Sequence, residues 1–282
     1  MKVGALIQID ENDRFGGKGG IGRKFEELAG MGMQSCQVVC WSRKVINDPA
    51  AAEEIRGAAQ RCGVSVSAFW CGWEGPCEWN FYEGQETLGL VPPAYRFQRT
   101  QMLKEGSDFA KELHVGQMAT HVGFLPENPH DPNYAGVLAA LREIVRKCRD
   151  NGQIFLFETG QETPVTLKRA IQDIGYDNVG INLDPANLVL YGKANPVDAL
   201  DVFGEYVLGI HGKDGLYPTD GHGLGREVPL GEGKVDYPRF LKKLREIGYR
   251  GDITIEREIT GEEQRRDILN AKKLLEDLIA GL

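Results

Sequence analysis

The sequence predicts a (β/α)₈ barrel built as a single domain over residues 1–282. Three observations lead there. Short apolar runs recur along the chain, each followed by an amphipathic stretch. Eight such units occupy 282 residues, the length and rhythm of a barrel of this kind. Four successive runs also close on a polar residue of matching parity, as inward-facing strand ends do. An open, doubly wound sheet shares the alternation and is the competing architecture.

In chain order the runs read as strands are 2–9 (KVGALIQI), 35–41 (SCQVVCW), 64–71 (VSVSAFWC), 115–123 (VGQMATHVG), 153–158 (QIFLFE), 178–184 (NVGINLD), 207–213 (VLGIHGK) and 252–257 (DITIER). The first run meets acids at once and lacks the h-region of a cleavable signal, so it reads as a buried strand. The intervening helices fall at 20–31, 49–62, 94–113, 133–150, 163–174, 196–205, 236–247 and 262–279. In the last, Ile268, Leu269, Leu274, Leu275 and Leu278 repeat with helical period. The segment IDENDRFGGKGGIG is rich in glycine, but too many residues separate strand from helix for a dinucleotide cradle. No acid closes a second strand where a ribose would need one. It reads as a mobile loop, and no nucleotide cofactor is expected.

Composition narrows the function. The chain is 41% hydrophobic and 26% charged, ordinary for a globular domain with a sizeable core. A net charge of −8 without a dense basic run argues against nucleic-acid binding. The six cysteines form no Cys-x-x-Cys pair and read as reduced thiols. No run approaches membrane-spanning length, so the expectation is a soluble, cytoplasmic protein without a membrane partner.

Side chains alternate along a strand. In IFLFE, Glu158 shares a face with Ile154 and Leu156, while Phe155 and Phe157 take the other. By the same parity Gly180, Asn182 and Asp184 face inward, as do Gly209, His211 and Lys213, and Thr254 and Glu256; Leu208 and Ile210 face outward. Glu158, Asp184, His211 and Glu256 thus end four successive strands, at intervals of 26, 27 and 45 residues. A barrel gathers such ends on its C-terminal face, where barrel enzymes keep their chemistry. Three carboxylates and an imidazole converging there would repel one another unless a cation sat between them. That donor set suits one divalent ion such as Mn²⁺, Co²⁺, Mg²⁺ or Zn²⁺.

The segments FETGQE, GINLDPANL, GIHGKDG and ITIEREI resemble, in order and spacing, the ligand strands of the xylose-isomerase-like barrel superfamily. This group includes ketose 3-epimerases, inosose dehydratases and metal-dependent apurinic-site endonucleases, and the resemblance covers essentially the whole chain. It implies a metal-dependent isomerase or epimerase of a keto-sugar or related polyol, working by proton transfer through a metal-stabilised enediolate. By the resemblance Glu158, Asp184, His211 and Glu256 bind one Mn²⁺-like ion, and Glu158 and Glu256 carry the protons. An inosose-dehydratase-like lyase is the alternative; a non-catalytic sugar-binding barrel is less favoured because the ligand set is intact. The endonuclease branch gathers several histidines, whereas this chain has only five in all. Two positions depart from the epimerase branch: Asn187 stands where a second histidine is common, and Lys213 where an arginine follows the ligand histidine. Both touch substrate oxygens in that branch.

Other residues at the mouth carry two readings each. His121 is either a polar contact to substrate or a hydrogen-bonded structural histidine. Glu162 could meet a substrate hydroxyl, with an N-cap or solvent exposure favoured. Trp70, Trp73, Trp79, Phe81 and Tyr82 suit either a sugar-binding wall or a subunit contact, which leaves a homo-oligomer open. Lys213 could neutralise a substrate oxygen or phosphate, or pair with Asp214. The glycine run GLGREVPLGEG could cradle a phosphate through its N–H groups, a weak signal without a helix directly behind it.

Overall fold

The structure is a computed structural model that describes residues 1–17 and 19–282. The barrel strands are β1 (Val3–Gln8), β2 (Ser35–Cys40), β3 (Ser65–Cys71), β4 (Gln117–Thr120), β5 (Ile154–Glu158), β6 (Val179–Leu183) and β7 (Val207–Gly212). A short antiparallel pair follows, β8 (Asp214–Gly215) and β9 (Glu227–Val228), and then the eighth barrel strand, β10 (Ile253–Ile255). Neighbouring barrel strands pair in parallel, and β1 closes the ring on β10 from Val3–Ile253 to Ala5–Ile255. Closure leaves the barrel sheet no edge, which excludes the open doubly wound alternative.

The helices are α1 (Glu11–Phe15), α2 (Gly20–Gly30), α3 (Arg43–Ile46), α4 (Pro49–Cys62), α5 (Gly84–Thr87), α6 (Pro93–Glu112), α7 (Pro132–Asp150), α8 (Pro164–Ile174), α9 (Pro185–Leu190), α10 (Pro196–Phe203), α11 (Tyr237–Glu246) and α12 (Glu262–Ala280). Five start on a capping side chain followed by proline: Asp48–Pro49, Asp131–Pro132, Thr163–Pro164, Asp184–Pro185 and Asn195–Pro196. The cap accepts a first-turn N–H, and proline occupies a position that needs no donor. The short helices α1, α3, α5 and α9 lie in connections that the sequence reading leaves as loop. After β1, Asp10 and Asp13 form a reciprocal capping box, each accepting the other's N–H at 2.9 Å. An ordered helical turn therefore stands in the segment expected to be a mobile loop; Lys18 of that segment lies outside the described residues.

Outward side chains such as Phe155, Phe157, Ile181, Ile210 and Ile253 build the buried layer between strands and helices. A smaller cluster fills the barrel interior, with Val39, Ala119 and Leu156 at its centre and Leu6, Ile154 and Leu208 against them. Leu208 corrects the parity reading, which sends it outward. The β6–β7 register shifts between Ile181–Val207 and Asn182–Gly209, so a bulge absorbs one residue and turns Leu208 inward. A Cβ added at Gly180 would stand 2.7 Å from Leu208 Cδ1 and 3.0 Å from the Tyr206 carbonyl oxygen, so Leu208 packs into space that the glycine leaves open. His211 keeps its inward face because the bulge precedes it. Among the described residues no helix is long and apolar enough to cross a membrane.

Candidate metal centre and its cavity

Glu158 is the last residue of β5, Asp184 directly follows β6, His211 lies in β7, and Glu256 directly follows β10. These four strands are consecutive around the barrel, so their ends converge. One ligand atom from each residue lies within 4.8 Å of the others. His211 Nδ1 is 2.9 Å from Glu158 Oε1, 3.1 Å from Glu256 Oε2 and 3.8 Å from Asp184 Oδ2. Glu158, Asp184 and His211 are buried; Glu256 is 17% exposed and forms the open side.

A buried relay orients the cluster from behind. His211 Nε2 donates to Gln37 Oε1 at 2.8 Å, Gln37 Nε2 donates to Asn182 Oδ1 at 2.9 Å, and Asn182 Nδ2 donates to Glu158 Oε2. The Gln37 oxygen, nearer to Nε2 than the Asn182 amide nitrogen at 3.0 Å, assigns a proton to Nε2, and Nδ1 is turned toward the three carboxylates. Asp184 spends Oδ1 on the Asn187 N–H at the start of α9, 2.9 Å away, while its buried Oδ2 has no hydrogen-bond partner. An orphaned carboxylate oxygen facing an imidazole nitrogen and two further carboxylates fits a divalent cation. The cluster can hold one.

The protein groups alone express the same demand for positive charge. Burial pushes Glu158 up, against the pull of His211. Burial also works against a charged His211, yet Glu158 and Glu256 outweigh it and hold the imidazole well above its usual value. Glu256 is held well below the usual carboxylate range: Lys213 and His211 overcome the cost of its burial. Lys213 Nζ lies 3.3 Å from Glu256, 3.7 Å from Asp184 and 3.1 Å from the exposed Glu258. It does not pair with Asp214. That carboxylate instead accepts the N–H groups of Gly215, Gly231, Gly233 and Val235, at 2.8, 3.0, 3.0 and 3.1 Å. The glycine run read as a phosphate cradle is thus closed on an internal acid.

A cavity of ≈ 780 Å³ opens over the cluster. Glu158 and Glu256 line it, whereas Asp184 and His211 lie beneath. All four tryptophans of the chain form one cluster beside it: Trp41 is 5.1 Å from Trp70 and 5.2 Å from Trp73, and Trp73 is 6.4 Å from Trp79. Trp41, Trp70 and Trp79 form wall, but Trp73 stands behind them, 3% exposed, and does not line the cavity. His121 follows β4 and lines the wall between Trp70 and Trp79, at 5.7 and 5.1 Å from their rings. Burial drives its pKa down to about 3, so the ring is neutral, and its Nδ1 has no protein partner. Asn187 lines the cavity with Oδ1 3.4 Å from Lys213 Nζ.

Glu162 departs from both favoured readings. Thr163 caps α8, and Glu162 is 4% exposed, off the cavity wall, with Oε1 unpartnered. Burial raises its pKa from 4.5 to about 8. The folded chain then keeps a proton that the unfolded chain loses above pH 4.5, so stability falls as pH rises toward about 8. Glu162→Gln removes this loss. Its melting temperature should match the wild type at pH 4.5 and exceed it by several degrees at pH 8.5; an equal difference at both pH values would contradict the buried-acid assignment.

The fold brings Glu158, Asp184, His211, Glu256, Asn187 and Lys213 together with His121 and Trp70, and leaves out Trp73 and Glu162. Sequence reasoning misses Gln37, Trp41 and Glu258, takes Asn182 only as inward-facing, and gives Trp79 no special weight. Gln37 carries a usable signal: it is the one strongly polar residue inside the apolar run SCQVVC. His114, His130 and His222 are exposed elsewhere, so His211 is the only histidine in the cluster.

The family model described as xylose isomerase-like TIM barrel matches residues 25–278. A xylose isomerase domain protein from Planctomyces limnophilus is 33% identical, with a TM-score of 0.90 over 100% of this chain and 99% of that one. A D-tagatose 3-epimerase-like protein is 21% identical, with a TM-score of 0.73 over 99% of this chain and 97% of its own. An uncharacterized protein of Methanocaldococcus jannaschii is 27% identical over 192 residues, 64% of this chain and 61% of that relative's length.

Proposed function

Since the chain belongs to the xylose isomerase-like TIM barrel family, we propose that it is a divalent-metal-dependent isomerase or epimerase of a keto-sugar or related polyol, with Mn²⁺ as its ion. The observation that carries this reading is the four-residue cluster, with ligand atoms within 4.8 Å of one another, opening by two of its glutamates onto a large cavity. Glu158, Asp184, His211 and Glu256 would hold the ion. When bound, a divalent ion supplies Lewis-acid polarisation of a carbonyl and its neighbouring hydroxyl.

The chain's own groups divide the remaining work. Asp184 and His211 lie beneath the cavity and serve only to hold. Glu158 and Glu256 face the substrate from β5 and β10, which are separated by two strands around the barrel. A ketose between them offers one face to each, so one carboxylate can take the proton beside the carbonyl and the other can return one. The Asn182 amide fixes Glu158, and the Lys213 ammonium fixes Glu256. His121 offers a neutral nitrogen to a sugar hydroxyl, Asn187 an amide, and Trp70 and Trp79 their faces to sugar C–H patches.

The test is product analysis of a ketose panel with the Mn²⁺-loaded protein. An equilibrium of recovered sugar isomers supports the proposal; growth of enone or diketone absorbance would replace it with a lyase. The wall carries its own prediction. Trp79→Ala should raise KM about tenfold or more with the fold intact, whereas Trp73→Ala should leave KM nearly unchanged and cost about 3–5 kcal/mol of stability. If Trp73→Ala were the one to raise KM on a stable fold, the wall would be misassigned.

A further inference from the structure

We propose that the cavity selects a neutral, unphosphorylated polyhydroxy ketone and rejects phosphorylated sugars. This rests on the proposed function and names its substrate class. Three cations line the cavity among the described residues, and carboxylates already hold each of them. Lys24 is 2.7 Å from Asp13. Lys213 is shared among Asp184, Glu256 and Glu258. Arg257 is 3.0 Å from Glu227 and 2.9 Å from Asp267. A phosphate dianion would have to displace one of these acids and leave it unpaired, a cost an uncharged hydroxyl does not impose.

The places where barrels usually hold phosphate are closed as well. Those are the loops after the seventh and eighth strands and a helix N-terminus beside them. After β7, Asp214 fills the ring of N–H groups from Gly215, Gly231, Gly233 and Val235. After β10, helix α12 begins without a capping side chain and carries Glu262 and Glu263 in its first turn, so its N-terminal dipole is already met by negative charge. A divalent ion does not reverse the balance: it would draw on Asp184 and Glu256, but Lys213 keeps Glu258, and Glu158, Asp184, Glu256 and Glu258 together exceed the charge of the ion and Lys213. The wall of Trp41, Trp70 and Trp79 complements the picture, since aromatic faces suit the C–H patches of an uncharged sugar.

Every tryptophan of the chain sits in this one cluster, so intrinsic fluorescence reads the cavity directly. The experiment titrates the Mn²⁺-loaded protein with free ketopentoses and ketohexoses and with their terminal phosphate esters, and measures solvent-deuterium incorporation in parallel. Saturable quenching by at least one free ketose is expected, with its ester binding about tenfold more weakly or worse. Glu258→Gln, at a largely exposed side chain, removes one partner of Lys213 and should narrow that gap several-fold. An ester that binds as tightly as its free sugar, a panel in which no free ketose binds, or a gap unchanged by Glu258→Gln would each overturn the inference. Selective binding of free ketose without deuterium incorporation would sink the proposed reaction and leave the ligand class standing.

Discussion

Glu158→Gln and Glu256→Gln are each expected to lower kcat by at least about a hundredfold. The amide keeps an oxygen for the cation and for the neighbouring donors, Asn182 at Glu158 and Lys213 at Glu256, but it has no basic site. Each variant should therefore fold and still bind metal, with reduced affinity. These are the only members of the cluster that line the cavity, so no other ligand can take over the proton transfer. The two substitutions should also differ from each other. A two-base enzyme retains solvent exchange from one epimer and loses it from the other, and the retained epimer should switch between the variants. Near-normal turnover in both would reduce the two glutamates to ligands.

His211→Ala and Asp184→Ala should cut divalent-ion affinity by more than about a hundredfold, whereas Gln37→Ala should cost about ten- to a hundredfold. The ordering follows from position. His211 and Asp184 give the cluster a nitrogen and an otherwise partnerless oxygen, while Gln37 acts one bond further back by fixing the His211 ring. Metal content measured by mass spectrometry should fall in that order, with Glu162→Gln retaining the wild-type value. Chelation should lower the melting temperature of the wild type and hardly move that of His211→Ala, because stabilisation by the ion requires the ligand set. Unchanged occupancy in His211→Ala would place the ion elsewhere.

Parity worked at β5, β6, β7 and β10 because alternation along a strand is geometric and needs no knowledge of tertiary contacts. It failed at Leu208 because a bulge shifts the count by one, and nothing in VLGIHGK announces a bulge. Gln37 lies on the inward face of β2 by the same rule, but its role needs His211 and Asn182 from strands 174 and 145 residues away. Trp41 and Trp79 meet Trp70, Trp73 and His121 across loops that have no periodicity to read. Lys213 shows the remaining gap: its inward face was legible, yet its partners are Glu256 and Glu258 beyond the next connection, whereas the adjacent Asp214 is turned into the loop. The family resemblance supplied the proposed class of chemistry, but the pairing of the cavity cations among the described residues could only come from the folded chain.

The role proposed for these four residues is to organise proton transfer beside a carbonyl around one divalent ion. Its most direct test is mass spectrometry of free ketoses recovered from heavy water after incubation with the protein, with Mn²⁺ and with chelator. One deuterium is expected at the carbon beside the carbonyl in at least one ketose with Mn²⁺, and none with chelator. Incorporation that survives chelation, or its absence from every ketose with Mn²⁺ bound, would contradict it.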